Sequence, residues 1–431
     1  MNTSLDNLTH KMQRAALGKI VDVALSRAEQ DREKTMCQLV DAAKQFYGSG
    51  FSDETYENAK KVLTDPNSKW TKLINCVLDQ TDPHVARTTA LNLGYEAFFR
   101  GTKMIRENRV KYQCNIPWLI LFDPTSACNM HCVGCWAGEY GHKNNLSFED
   151  MDKIVTQGKE LGVYLYMLTG GEPLVRKGVD HLVAQLKAIP GIRRVTMTTN
   201  GVLLAQQLPA LLAAGLDSVN ISLDTLSPEV FARITARNAF ADVMAGIRAA
   251  LESGLPVKLN CVPQVGVNEG ELEALAALAE TKPLQVRFIE MMPIGYGAAM
   301  PCISGPDLLA RFRKRWPELA PLSRQETAGI GDGPAVYYTA PGWQGSVGFI
   351  AAVHGKFCAS CNRVRLTSQG FLRPCLASEA GCDLKMLLRS GASDEELLSA
   401  IRTTIWEKPQ EHHFELKQDV PATRGMYRIG G

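Results

Sequence analysis

Several things are missing from this chain of 431 residues, and each absence narrows what it can be. No apolar run approaches the ~20 residues of a membrane-spanning helix. The opening stretch, Met1-Asn-Thr-Ser-Leu-Asp-Asn-Leu8, lacks a basic region followed by an apolar one, which predicts no secretory leader. Neither sign of charge is in excess. The 47 basic and 45 acidic residues leave +2, so no global field points to nucleic acid or to a membrane surface. Internal repeats and low-complexity tracts are absent as well. What is present is 45% hydrophobic, enough to bury a large core in two or three domains. Six of the 12 cysteines fall in two tight clusters. The other six (Cys37, Cys76, Cys114, Cys261, Cys302 and Cys382) are scattered, as buried thiols in a reducing cytoplasm usually are.

The first cluster, Cys128-Asn-Met-His-Cys132-Val-Gly-Cys135, follows the apolar run Ile116-Pro-Trp-Leu-Ile-Leu-Phe-Asp123. Thiolates select soft metals, and four would complete a tetrahedral zinc or an iron–sulfur cluster. Three leave one coordination position open, which suits a [4Fe–4S] cube whose fourth iron takes a substrate or cofactor. A structural zinc knuckle with a distant fourth ligand is the plainer alternative. The next apolar run, Val163-Tyr-Leu-Tyr-Met-Leu168, leads into Thr169-Gly170-Gly171-Glu172-Pro173. Its glycines let backbone approach a ligand, and its carboxylate can accept from an ammonium.

CxxxCxxC after one strand and GGEP after the next resemble the radical S-adenosylmethionine (SAM) enzymes. The resemblance implies that Cys128, Cys132 and Cys135 hold a cluster whose fourth iron is chelated by the SAM amino and carboxylate groups. It also implies that Gly170, Gly171 and Glu172 meet the SAM amino group, and that one electron cleaves SAM to a 5′-deoxyadenosyl radical.

Taken in order, residues 1–113 read as helical, with apolar positions such as Ile20, Val21, Val23, Ala24, Leu25, Leu39 and Val40 at helical spacing. Further helices are expected over Asp53–Leu63 and Thr71–Leu78. His84, Arg87 and Arg100 read as solvated or capping residues rather than catalytic ones. From Ile116 strands alternate with helices: Trp118–Phe122, Tyr164–Leu168, Arg194–Thr198, Ser218–Leu223, Val257–Val262 and Gln285–Glu290. The intervening helices are a capped one starting at Ser147, then Asp180–Ala188, Leu203–Ala214, Phe240–Ser253 and Glu269–Glu280. Six such units imply an α/β domain with a parallel sheet and right-handed crossovers. The resemblance implies an incomplete (β/α)6 TIM-like barrel, whereas a doubly wound open sheet would give the same string. Polar residues collect at the carboxyl ends of these strands: Thr198-Thr-Asn-Gly201, Asn220, Ser222, Asp224, Lys258, Asn260, Arg287, Glu290 and Met292. Parallel α/β folds place their ligands there.

Beyond Pro293 the alternation ends, apart from a helix expected over Pro306–Arg315. A second cluster follows, Phe357-Cys358-Ala-Ser-Cys361-Asn-Arg363-Val364-Arg365, with Cys375 in Arg373-Pro-Cys375. Again three cysteines leave one position open, and Cys382 or His354 could close a zinc site instead. Arg363 and Arg365 alternate, so on an extended segment both face the same way and could clamp a triphosphate. The alternative is that they pair with carboxylates such as Glu290 and support the fold.

TTNG, NISLDT (220–225), VKLN (257–260), RFIEMMPIG (287–295), FCASCNRVRL with LRPC, and the terminal Gly430-Gly431 together resemble the GTP 3′,8-cyclase family of molybdenum cofactor synthesis. This likeness covers residues 169–431. It implies a second [4Fe–4S] cluster on Cys358, Cys361 and Cys375. It implies SAM seated by Gly171, Ser222 and Met292, and GTP held by Thr198, Lys258, Arg363, Val364 and Arg365. No side chain is given a bond-making role, because the cofactors carry the chemistry. At three positions the chain departs from that family, with Leu121, Gly134 and Met167 in place of arginine, tyrosine and arginine. Residues 1 to about 177 resemble another radical SAM group with a helical N-terminal extension. Three domains are therefore expected: a helical extension over 1–113, the partial barrel over 114–300, and a second-cluster and substrate subdomain over 301–431. Two alternatives stand beside the cyclase reading. One is a radical SAM enzyme with an auxiliary cluster acting on a peptide or other small molecule, and the other is a non-enzymatic iron–sulfur or zinc module. The expected partners are GTP, SAM and an electron-donor protein, with self-association as a homodimer left open.

Overall fold

The computed structural model describes residues 3–28, 31–47, 53–68, 102–133, 145–294, 303–323 and 333–414, with isolated positions between them that include Cys135. The chain divides into two compact units, Met1–Glu107 and Asn108–Gly431. The first contains α1 (Thr3–Ala28), α2 (Arg32–Tyr47) and α3 (Asp53–Thr64). Leu17, Val21 and Leu91 form a small core there, with Ile20 and Leu25 packed against it. The Arg87 guanidinium donates to Asp22 at 2.6 Å, the surface role expected of it. His84, Arg100 and half of the helix expected over Thr71–Leu78 lie outside the described residues, as do Gly134 and Gly430-Gly431.

Helix α4 (Thr102–Tyr112) precedes the alternating part of the chain. That part runs β1 (Leu119–Thr125), α5 (Phe148–Glu160), β2 (Leu165–Gly170), α6 (Val179–Ala188), β3 (Arg194–Thr199), α7 (Leu204–Ala213), β4 (Ser218–Ser222), α8 (Pro228–Thr235), α9 (Phe240–Glu252), β5 (Val257–Cys261), α10 (Leu272–Thr281) and β6 (Leu284–Ile289). The six strands expected from sequence are therefore present, each within three residues of its expected ends. The helix expected over Glu269–Glu280 opens instead with a 3-10 turn, Glu269–Glu271. Helix α8 was not anticipated, although Ser227 caps it and Pro228 begins it.

The six strands lie side by side in chain order, all parallel. A doubly wound sheet reverses direction midway, which sends helices to both faces. An order that only advances, with right-handed crossovers, sends them all to one face and frees the other to line an interior. This is the partial-barrel arrangement, and the sheet does not close on itself. It is instead extended at both edges by C-terminal strands. Helix α11 (Gly305–Arg315) leads to β7 (Ala320–Pro321), β8 (Val336–Thr339) and β9 (Ser346–Ile350), and β9 pairs parallel to β6. Next come β10 (Arg363–Leu366), parallel to β1, then β11 (Phe371–Arg373) and β12 (Cys382–Asp383). Helices α12 (Leu384–Arg389) and α13 (Asp394–Trp406) complete the described chain. Because β10 adds directly to β1, the second cysteine cluster and its arginines stand beside the strand that carries the first cluster.

The start of α5 shows how the two parts of this sheet are tied. Ser147 and Asp150 form a capping box, each side chain accepting from the other's backbone N–H at 3.1 Å. The buried Asp150 carboxylate also receives both terminal nitrogens of Arg389 in α12, at 2.8 and 2.6 Å. The Arg389 hydrogen bonds hold its pKa down at about 2. A depressed carboxylate stabilises the fold above its unfolded pKa of about 4 and loses that effect as pH falls through the folded value. Asp150→Asn should therefore lower the unfolding temperature at neutral pH, by about 2–4 °C per kcal/mol lost. The gap from the unmodified protein should narrow below about pH 4. A gap independent of pH in melting curves would show that the pair contributes nothing.

Candidate functional site

The cysteine loop begins where β1 ends. Its backbone is held from outside the motif: His131 and Val133 donate to the carbonyls of Thr235 and Ile234 at the end of α8, at 3.2 and 2.8 Å. The Arg237 guanidinium donates to the Asn129 carbonyl. Within the loop Cys135 N–H donates to the Cys132 carbonyl, and Cys128 Sγ accepts from Met130 N–H at 3.4 Å and from Asn200 Nδ2 at 3.8 Å. One guanidinium clasps both ends of the segment, since Arg176 donates to the Pro124 and Leu146 carbonyls.

The Gly170-Gly171-Glu172 turn lies against this loop. A Cβ on Gly171 would stand 2.3 Å from the Ala127 carbonyl oxygen, and Gly170 has φ +95°, so neither position tolerates a side chain. Glu172 N–H donates to the Ala127 carbonyl at 2.7 Å. Its carboxylate, 1% exposed, accepts from Thr199 Oγ1 and Asn200 N–H at 2.7 Å each and from Leu174 N–H at 3.0 Å. Burial raises its pKa to about 7 against the pull of those donors. Glu172 thus joins the ends of β1, β2 and β3 as well as facing the cavity. That cavity, of about 190 Å³, is lined by Cys128, Cys132, Cys135, Gly170, Gly171, Glu172, Ser222 and Asp224.

A second cavity, of about 320 Å³, shares Thr169 and Thr198 with the first as lining residues. Its wall is built in rows across the sheet. Arg365, Leu121, Met167 and Thr196 are register partners on β10, β1, β2 and β3. Thr198, Asn220 and Lys258 are partners on β3, β4 and β5, and Asn260 and Arg287 on β5 and β6. Asn220 Nδ2 donates to Thr198 Oγ1 at 3.0 Å, and Arg287 Nε to Asn260 Oδ1 at 2.8 Å. Arg194, Lys258, Arg287, Arg363, Arg365 and Lys408 line the space, and among the described residues no acidic side chain does. Burial lowers the Arg363 pKa to about 10, and its neighbours Arg365 and Arg287 push it the same way. Burial also lowers those of Arg365 and Arg287. Cations crowded and desolvated in this way favour an anion in the space between them.

The donor sets fit iron–sulfur chemistry. Burial, together with the neighbouring Cys135 and Cys128, pushes the Cys132 thiol up to about 12. Burial raises Cys128 as well. Thiols in such a place ionise only with a cation, and the irons of a cluster supply one. Among the described residues no three His, Cys, Asp or Glu side chains converge to hold a single ion. A cube attaches each cysteine to a different iron and does not require them to converge. Cys358, Cys361 and Cys375 line the second cavity, whereas Cys382 and His354 do not. His354 Nδ1 instead faces Glu290 at 2.7 Å. The Glu290 carboxylate accepts from Val353, His354 and Gly305 N–H groups at 2.6, 3.0 and 3.2 Å, which commits it away from Arg363 and Arg365.

The sequence motifs therefore come together, with distinctions. Gly170, Gly171, Glu172 and Ser222 share the first cavity, while Met292 lines the second with Thr198, Lys258, Arg363 and Arg365. Val364 is 0% exposed and lines neither, so any part it plays falls to its backbone. Leu121 and Met167 line the second cavity and belong to an apolar strip with Leu119, Leu165, Trp118 and Tyr164. Asn200 was anticipated as part of the TTNG stretch, whereas sequence reasoning missed Arg176, Arg237, Arg194 and Lys408 as parts of the site, and nothing near Lys408 marked it.

Comparison with known proteins agrees with this geometry. Residues 122–279 match the Radical SAM superfamily, and residues 284–414 match Molybdenum Cofactor Synthesis C. The chain is 42% identical over 323 residues to a Heliobacterium modesticaldum protein named GTP 3′,8-cyclase, covering 71% of this chain and 95% of that one. A Desulforamulus reducens protein of the same name is 40% identical over 328 residues, covering 74% and 99%. Matches of this extent reach upstream of residue 169, into the region of the first cysteine cluster. The solved structure of Streptococcus suis SuiB bound to S-adenosylmethionine is similar at 16% identity and TM-score 0.49, covering 81% of this chain and 80% of that one.

Gly171→Ala should test the contact between the two loops. Overpacking of this kind costs roughly 1–3 kcal/mol. The variant should unfold at lower temperature, and its Cys128 should react faster with a thiol reagent in metal-free protein. Unchanged melting and labelling would mean that the loops are not held through this contact.

Proposed function

The chain belongs to the GTP 3′,8-cyclase family, and on that premise we propose how its two cavities divide the reaction. It is a radical SAM enzyme that converts GTP to 3′,8-cyclo-7,8-dihydro-GTP in molybdenum cofactor biosynthesis, and it uses SAM with a [4Fe–4S] cluster. We assign that cluster to Cys128, Cys132 and Cys135, with SAM against Gly170, Gly171, Glu172 and Ser222, and with Met292 reaching it from the neighbouring cavity. Cys358, Cys361 and Cys375 would hold a second [4Fe–4S] cluster, whose position left open by three cysteines could take the guanine of GTP. When bound, the first cluster and SAM would supply a 5′-deoxyadenosyl radical able to remove the ribose 3′ hydrogen; the sugar carbon would then bond to guanine C8, and one electron and one proton would complete the dihydro ring.

The observation that carries this division is the second cavity itself, where the described lining residues include six Lys and Arg side chains, no acidic one, and two threonines shared with the first cavity. A triphosphate is the polyanion such a wall suits. Arg363 and Arg365 face it from one strand, and Lys258 and Arg287 from strands farther round the sheet. Thr198, held by Asn220, stands where the two cavities meet and can fix the ribose next to SAM. The residues position the substrates and exclude water, and a misplacement of about 1 Å costs roughly a hundredfold in rate. The residues 301–431 act as the second-cluster and substrate region, and residues 1–113 as an added helical region. Reduction of the first cluster would call for an electron-donor protein, and self-association as a homodimer is compatible with this scheme. We propose the reducing cytoplasm as its location, where thiols such as those of the two three-cysteine sites persist.

Anaerobic reconstitution should give about eight irons per chain, four for each three-cysteine site. Ala at Cys128, Cys132 or Cys135 should abolish 5′-deoxyadenosine formation, whereas Cys358→Ala should leave some uncoupled SAM cleavage. About four irons with one zinc would overturn the two-cluster assignment.

Arg365→Ala should weaken GTP binding by about 1.5–3 kcal/mol, or roughly ten- to a hundredfold, with SAM binding and iron content intact. Anaerobic calorimetry on cluster-loaded protein measures this. Loss of iron and of thermal stability, with unchanged GTP affinity in the folded fraction, would make the arginine a support of the fold instead.

A further inference from the structure

Helix α13 is fixed by a capping box at Ser393 and Glu396 and buries Leu397, Ile401 and Ile405. Just past its end, Lys408 reaches back to the sheet. Its Nζ donates to the Arg363 carbonyl at 2.6 Å and to the Pro374 carbonyl at 2.7 Å. Arg363 lies two residues after Cys361, and Pro374 immediately precedes Cys375. One ammonium therefore bridges the two separate segments that carry the three cysteines of the second cavity. The same stretch is tied again on the far side of Cys358, where Lys356 Nζ meets Glu411 at 3.4 Å. The two carbonyls that accept from Lys408 are neutral, and no carboxylate is among the described residues that line the cavity it faces, so its charge is left to act on the thiolates.

We propose that Lys408 is a positioning residue for the second cluster, fixing the spacing of the Cys358–Cys361 turn and Cys375 and holding a positive charge beside their sulfurs. The proposal rests on the two-cluster reading above. Groups behind the ligands of a metal site typically change its affinity about 10–100-fold. A nearby positive charge also favours the reduced, more negative state of a cluster.

The test uses the full chain with Cys128, Cys132 and Cys135 all changed to Ala, so that only the second site can take iron. If this protein with Lys408 in place binds no iron after anaerobic reconstitution, the two-cluster reading fails and Lys408 is not at issue. If it binds iron, adding Lys408→Met should speed iron loss to a chelator about tenfold or more. It should also move the midpoint potential of the remaining cluster to a more negative value. Lys408→Arg should restore most of the potential, because the charge returns. In the mirror background, with Cys358, Cys361 and Cys375 changed to Ala, Lys408→Met should leave the first cluster's iron and potential unchanged. Iron retention and potential unaffected by Lys408→Met would overturn the proposal. Equal iron loss from both backgrounds with a lower unfolding temperature would overturn it too, since that marks a general support of the fold.

Discussion

The arrangement of the active end depends on one buried carboxylate. Glu172 accepts three hydrogen bonds from the turns after β2 and β3, and its own N–H holds the backbone just ahead of Cys128. Hydrogen bonds to a charged acceptor are worth about 1.5–3 kcal/mol each, while leaving such a group buried and unmet costs at least as much. Both effects force the three strand ends into one relative position. The cysteine loop, the glycine turn and Asn200 are consequently placed together before any cofactor arrives. That Gly171 packs against the Ala127 carbonyl with no room for a Cβ is the steric half of the same constraint.

The second cavity shows the opposite balance, with cations held close and few compensating acids. Desolvated guanidiniums are costly in an empty cavity, and a polyanion relieves that cost on binding. Leu121 and Met167 are apolar, so the charge of this wall comes from Arg194 on β3, Lys258 on β5, Arg287 on β6, Arg363 and Arg365 on β10, and Lys408. The apolar strip between Arg365 and Thr196 has an effect of its own. It lowers the local dielectric beside Arg365, where each remaining charge interacts more strongly than it would in a wetter wall. The family membership of the chain supports the cyclase reading over a different radical SAM substrate, and over a non-enzymatic module.

The parallel strands were legible because they are buried on both faces and read as continuous apolar runs between helical segments. Their order was not, since a barrel and a doubly wound sheet share that string and only the pairing distinguishes them. The cysteines, the glycine turn and the alternating arginines could be found from spacing, because each carries its chemistry within a few residues. Val364 shows the limit of that reasoning: on a strand the residue between two cavity-facing arginines points into the core. Helix α8 and Lys408 went unseen for a different reason. Their contributions to the site are backbone contacts made across more than thirty residues of chain, as in Lys408 to Pro374, and nothing local encodes such a meeting.

The most direct test of the account is turnover by the reconstituted enzyme, reduced without oxygen and supplied with both SAM and GTP. The account predicts that GTP disappears in step with 5′-deoxyadenosine formation and that a cyclised guanosine triphosphate product accumulates. Sustained SAM cleavage with GTP left untouched would contradict it.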